Sequence, residues 1–562
     1  GVTITGHGSL YLDVAGDLTL SGTATVSATG AAFIDVTGST DLQASLTAGR
    51  DIRISSNTLN QADAVSVVST TGNVRVRTFT DLVMGLGSLI EATTGSVRIQ
   101  SGSDFTVGLI VGQNVTLHAV GTMSAASTDR STHQVTGDAV RLTADGAILP
   151  LLTDADRIDI NAGALSEIYE LDDLIIGRYG LRLISEVTGD RLTLRMNQAE
   201  LSSYDGVAVV PGVGTFVWTS TENLTLATRL VTDNGSIIIT AENLQQTGTL
   251  IGAYVDAGNG RVTLNLEDGA GTTDTNPITI DADELTANSQ TGEQVYQVDG
   301  SVILSADGIT TTSGSGGIQL VVDNGNLTQS GRIIHSGNGT IHLDIPDGLL
   351  DVQADGIADA DTIALYKSGG TIQLELDTGI SLTGVARLLL NGSSFAATSR
   401  TGNMKLELLA SDGTQSLLQN VLIQEGTGTL DIFSSQALVI FGSVRNLANG
   451  NLSIRSGTFI SMALGSLVRS ETGALSLHAQ ELELTRVESF GSSTLLKSTI
   501  FGIKIKPGQG GIHLAGDHTA RLEINTDIVG FTVGTPVNVF DVNTGTLLTS
   551  FTAGTTINYT AP

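Results

Sequence analysis

Two nine-residue phrases in this chain nearly coincide. TTGNVRVRT occupies Thr70–Thr78 and TTGSVRIQS occupies Thr93–Ser101, so Gly72 and Gly95 lie 23 residues apart. A looser version, TAGRDIRIS, places Gly49 another 23 residues upstream. A fixed period of this size constrains the whole architecture, because it means one structural unit stacked on copies of itself. Within each phrase a glycine and a polar residue are followed by apolar, polar and apolar positions. That alternation is the period of a strand, not of a helix.

The phrase returns along most of the chain, as DNGSIIITAEN after Gly235, VDGSVILSADG after Gly300, GNGTIHLDIPDG after Gly339, RTGNMKLELLASDG after Gly402 and ANGNLSIRS after Gly450. One turn of a parallel β-solenoid takes about 20–25 residues, two or three short strands with their corners. The fold class predicted is therefore all-β: a right-handed parallel β-solenoid (β-helix) rod with irregular insertions and a C-terminal β cap or module start. The glycine–polar pair serves the corner, where a positive φ or a close approach is needed. Ile52, Val74 and Val97 should form one inward ladder, and Ile54, Val76 and Ile99 another. Aromatic residues are only 4% of the chain, while 40% is hydrophobic and chiefly Val, Ile, Leu and Ala. That balance is too apolar for disorder and suggests a lumen too narrow for bulky rings.

The register divides the chain into four stretches. Residues 1–149 and 216–515 carry the phrase and read as solenoid coils. Residues 150–215 lack it and read as a less regular insertion or distorted coils. Their segment GALSEIYELDDLIIGRYG is compatible with helical spacing, and a strand reading of DDLIIG is equally fair. Residues 516–562 turn richer in Thr and aromatics and read as a hairpin-like meander with NTG at the turn, either a cap or the start of a following module.

Charge and composition exclude several functions. Asp and Glu number 57 against 27 Lys and Arg, a net charge of −30. Such a field repels nucleic acid and anionic membranes. The absence of cysteine rules out disulfides and thiolate metal sites. No apolar run approaches the roughly 18 residues of a membrane span, so membrane insertion is not expected. With Gly1 in place of an initiator Met and no leader, the chain reads as a mature product or a piece of something longer.

The TGxVxI, DNGxI and NGxLTQ phrases resemble those of filamentous-haemagglutinin-like large bacterial exoproteins and adhesins, over about two-thirds of the chain. The resemblance implies a long extracellular rod at a bacterial surface that displays binding sites and serves as a stalk. Its partners would be a host or neighbouring-cell surface glycan or protein. No N-terminal two-partner secretion motif accompanies it, since TNPITI at Thr275–Ile280 is mid-chain and too short. Two other readings remain: a subunit of an extracellular filament or sheath that self-associates end to end through unpaired terminal coils, and a polysaccharide lyase or hydrolase on a β-helix.

The candidate site residues are few. Asp281 and Asp283 alternate on one predicted strand face, as do Asp359 and Asp361. Each pair could share Ca²⁺ with backbone carbonyls or stand as a solvated acidic corner. No motif requires a cofactor, and Ca²⁺ is the one ion these pairs suggest. A third acidic group holds Asp154, Asp156 and Asp159 beside Arg157, but no convergent acid–base pair singles itself out, so no catalytic residue is assigned and no enzyme is expected. Arg53, Arg75 and Arg98 occupy matching outward positions of successive phrases. Stacked at coil spacing they form a cationic stripe that could grip a sulfated or uronate polysaccharide. Alternatively, neighbouring carboxylates neutralise them or solvent screens them.

Overall fold

The computed structural model describes residues 4–21, 26–127, 134–163, 166–170, 175–183, 191–196, 199–201, 207–209, 215–220, 223–226, 230–232, 234–246, 254–271, 276–353, 366–383, 387–410, 413–505, 511–514, 520–524, 528–532, 536–541, 544, 546–552 and 556–559. Every regular element among them is a strand. The architecture is a parallel β-solenoid, as the repeat predicts. No helix among the described residues is long and apolar enough to cross a membrane. The chain divides into two compact units, Gly1–Leu266 and Glu267–Pro562.

In the first unit the predicted ladders are in register. Ile52 pairs with Val74 and Val74 with Val97, while Ile54 pairs with Val76 and Val76 with Ile99. The second ladder starts at Leu12 and Ile34 and continues through Leu117, Leu142 and Ile160. From Ile34 onward its members are almost completely buried. Burying a Val, Leu or Ile contributes about 1.5–3 kcal/mol, so each coil is stabilised chiefly by the inward residues it stacks on its neighbours. β-Branched side chains suit such a ladder because they pack well on a pleated surface.

The strand Ile148–Ala162 pairs along the strand Val135–Ala144, so the stacking runs on past the last phrase of this stretch. Ser166–Glu170 and Ile175–Leu183 are strands paired in parallel, which resolves the described part of the helix-or-strand ambiguity in favour of strands.

The second unit repeats the pattern. One inward ladder runs Ile318, Ile341, Ile372 and Phe395, and another runs Leu406, Ile432, Ile454, Leu477, Leu496, Leu522 and Val539. At its end the pairing reverses. Val537–Asp541 and Leu547–Phe551 run antiparallel, as do Ile528–Thr532 and Thr556–Tyr559. Asp541 closes the reversal: its carboxylate accepts from the Thr544 amide at 2.7 Å, and its own amide donates to the Thr546 carbonyl at 2.9 Å. This is the hairpin that NTG indicated.

Two sequence expectations need revision. The lumen does admit large rings: Phe105, Phe216, Trp218, Tyr254, Tyr296, Tyr366 and Phe395 are fully buried. They fit because a single coil can carry a ring between aliphatic neighbours, as Phe105 lies between Leu82 and Met123. The buried phenols also have partners, Tyr296 donating to Gln294 Oε1 at 2.8 Å and Tyr366 donating to Gln329 Oε1. Burial pushes both phenol pKa values up from the usual range. The second revision concerns the corner residue. Besides ending a turn, the Asx side chain that follows the glycine reaches the next coil: Asp51 Oδ1 accepts from the Asn73 amide at 2.8 Å, and Asn73 Oδ1 accepts from the Ser96 amide at 2.9 Å. Asn326, Asn403 and Asn451 do the same for Leu349, Thr429 and Ala474 at 2.8–3.0 Å. The glycine itself is required by packing, since a Cβ on Gly95 would collide with the Gly72 carbonyl oxygen.

Candidate ligand-binding face

On a strand whose even positions point into the lumen, the odd positions point outward. The outward column that contains the arginines can be followed rung by rung in the first unit. Tyr11 pairs with Phe33, Phe33 with Arg53, Arg53 with Arg75, Arg75 with Arg98, Arg98 with Thr116, Thr116 with Arg141 and Arg141 with Asp159. Arg53, Arg75 and Arg98 are therefore brought together as the repeat implied. All three are exposed. Adjacent parallel strands lie about 4.8 Å apart, so the column sets three guanidinium stems at that spacing.

The surroundings bear on one of the alternatives left open by sequence, neutralisation by neighbouring acids. No ion pair or side-chain hydrogen bond joins Arg53, Arg75 or Arg98 to a carboxylate among the described residues. Neutralisation by neighbouring acids is thus not what holds this column. Several cations of the second unit do have acid partners. Arg387 lies 2.9 Å from Asp431, Arg400 bonds Asp377 and Glu425, Arg469 lies 2.7 Å from Glu471, Arg486 bonds Glu488, and Lys504 bonds Glu481. The bonds to Asp377 and Glu425 raise the Arg400 pKa, and those to Glu481 raise that of Lys504. Those cations are paired with acids, whereas the three stacked arginines of the first unit, like Lys405 and Arg445 of the second, are exposed without a carboxylate partner among the described residues.

Beside this column runs a second outward one, Asp13, Asp35, Ser55, Arg77, Gln100 and His118. Arg77 lies over the Phe79 ring, 4.9 Å from its centroid. Between the two columns, on the first coils, is a groove of about 270 Å³ bounded by Tyr11, Phe33, Asp13, Asp35, Arg53 and Ser55 among others. The Tyr11 and Phe33 rings stack at 4.9 Å between centroids and 13° between planes. Sequence reading passed over this pair, although the signal was present: SLYLDVAG and AAFIDVTG are a further copy of the repeat, with Gly8 and Gly30 in matching places.

The acidic candidates are dispersed. Asp281 is half-buried and Asp283 exposed on the outward face of the strand Ile278–Ser289, so they do share a face. Among the described residues no group of three or more His, Asp or Glu side chains is placed to hold a metal ion. A Ca²⁺ ion takes six to eight oxygens, and this pair could supply only part of that set. Asp359 and Asp361 lie outside the described residues, as do the side chains of Asp156 and Arg157. Asp159 stands in register with Arg141, while Asp154 pairs with Thr136. The corner aspartates Asp17, Asp51, Asp63 and Asp104 accept backbone amides of the next coil at 2.7–2.8 Å.

In the second unit, His342 Nε2 lies 3.3 Å from Glu375 Oε1, and Asp344 stands in register with Glu375. Burial raises the Asp344 pKa, Glu375 and Asp323 raise it further, and His342 partly offsets them.

Comparison with family models, with curated proteins and with solved structures finds no match.

Proposed function

We propose that this chain is a structural and adhesive segment of a large secreted bacterial surface protein, of the filamentous-haemagglutinin-like kind that its phrases resemble. It works outside the cell, spacing and presenting binding sites along a solenoid shaft, and does not turn over a substrate. The observation that carries the reading is the column of Arg53, Arg75 and Arg98, exposed and free of carboxylate partners in a chain of net charge −30. Stacked like charges destabilise a sheet when they stand directly opposite. A column kept against that cost suits an anionic partner whose charges repeat along the coil axis. Guanidinium forks match carboxylate and sulfate oxygens with two parallel bonds each. The acidic remainder of the surface repels other polyanions and confines binding to this face.

The test is retention on a heparin-like column at low salt. The wild-type chain should be held and should elute with moderate salt, because exposed charges are screened within about 10 Å at 0.1 M. Replacing Arg53, Arg75 and Arg98 together by Gln should abolish retention. Wild-type chain that flows through the column would remove the adhesive part of the proposal.

A further inference from the structure

The arginine column does not end at Arg53. It continues into Phe33 and Tyr11, whose stacked rings form one wall of the groove, with Asp13 and Asp35 on the other side and Arg53 at its end. Tyr11 is 71% exposed, so this ring pair is surface rather than core. An exposed apolar ring stack facing two carboxylates is a poor place for an anion. It suits a sugar ring, whose C–H groups rest against the edges of the stacked rings while its hydroxyls donate to carboxylate oxygens. The groove has room for a single sugar ring rather than a chain.

We infer that the face is a composite track for an acidic polysaccharide lying along the coil axis, with an uncharged sugar unit seated between Tyr11, Phe33, Asp13 and Asp35, and the acidic groups of the following units on Arg53, Arg75 and Arg98. This rests on the adhesive reading above and adds to it a ligand class, since bare polyanions have nothing to place in the groove. It also gives the ligand a direction, because only one end of the track is aromatic.

The experiment compares two probes by isothermal titration: a size-defined oligouronate that carries one uncharged sugar at its end, and inorganic polyphosphate of similar charge. Three proteins are used, the wild type, Tyr11→Ser, and the triple Arg→Gln variant, each checked for an unchanged melting curve. Tyr11→Ser should weaken the oligosaccharide by about tenfold, a change of about 1.4 kcal/mol, and leave polyphosphate unchanged. The triple variant should lose both probes. If Tyr11→Ser binds the oligosaccharide as tightly as wild type, or weakens both probes equally, the sugar subsite is overturned while the arginine column stands. If neither probe binds the wild type, both readings fall. Asp13→Asn with Asp35→Asn provides a second variant: the inference expects it to weaken the oligosaccharide, whereas a purely electrostatic track would bind both probes more tightly once two acids are removed.

Discussion

Val74 and Arg75 are neighbours in sequence and opposites in the fold, and replacing each by Asp separates inward from outward directly. Val74 is fully buried between Ile52 and Val97. Losing its burial forfeits about 1.5–3 kcal/mol. The introduced carboxyl has no partner in the ladder. Keeping it uncharged at pH 7, about three units above an ordinary aspartate pKa, costs about 4 kcal/mol. Its unmet hydrogen bonding adds about 1–3 kcal/mol. The total of about 7–10 kcal/mol falls within the 5–15 kcal/mol range of whole-domain stabilities. Because a solenoid coil touches only its neighbours, the coils around Ile52–Ser56, Val74–Thr78 and Leu89–Ser101 should open first. Arg75→Asp instead sets an exposed carboxylate between Arg53 and Arg98. It exchanges two repulsions for two attractions, each about 0.2–1 kcal/mol, and should leave the fold equally or slightly more stable at low salt. The assay is far-UV circular dichroism on heating, with limited proteolysis to locate the opening. The deficit of Val74→Asp should shrink below about pH 4, where the unfolded chain also holds that carboxyl protonated. Two variants that melt alike, or an Arg75→Asp variant that is the worse, would refute the inward and outward assignment.

Asn73→Ala should lower stability by about 1 kcal/mol, because it leaves the Ser96 amide without its acceptor, and Asn73→Asp should restore only part of it in a urea titration, since the new carboxylate replaces an amide that donates to Asp51. Asp344→Asn should raise the melting temperature at pH 7 and give no gain at pH 3. The folded-state pKa of Asp344 is raised, so its contribution is present below the unfolded value near 3.9 and lost as pH rises through the folded one. A gain that is the same at both pH values would show that the burial and charge around Asp344 are misjudged. No new reducing or unsaturated ends should appear on pectate or alginate, with or without Ca²⁺. Depolymerisation that vanishes on Asp154→Asn would place the enzyme reading first.

The ladders were legible in the sequence because two signals coincide there. The 23-residue period aligns Val74 with Val97, and the alternation sends both to one side. The same logic placed Arg53, Arg75 and Arg98 in one outward column. Their lack of acid partners was not legible, because it depends on what the neighbouring columns hold. The ion pair of Arg400 with Asp377 and Glu425 was hidden for the same reason: its members lie 23 and 25 residues apart and meet only once the register is known. Asn73 and Asp51 read as ordinary turn residues, since a turn asparagine and one that reaches the next coil have the same local sequence. The buried rings of Phe105 and Trp218 escaped because overall aromatic content says nothing about which coil is wide enough for one ring. Tyr11 and Phe33 were missed because their phrase lacks the TTG signature, although YLDV over FIDV carries the same alternation.

The claim on which the rest depends is that Arg53, Arg75 and Arg98 stand in one outward column, one coil apart. The chain has no cysteine, so single and paired Arg→Cys variants can be spin-labelled at these positions alone. Labels at 75 and 98, or at 53 and 75, should sit on strands about 4.8 Å apart and show strong dipolar broadening in continuous-wave electron paramagnetic resonance that neither single label shows. Spectra of the paired variants that equal the sum of the single ones would contradict the register, and with it the binding face.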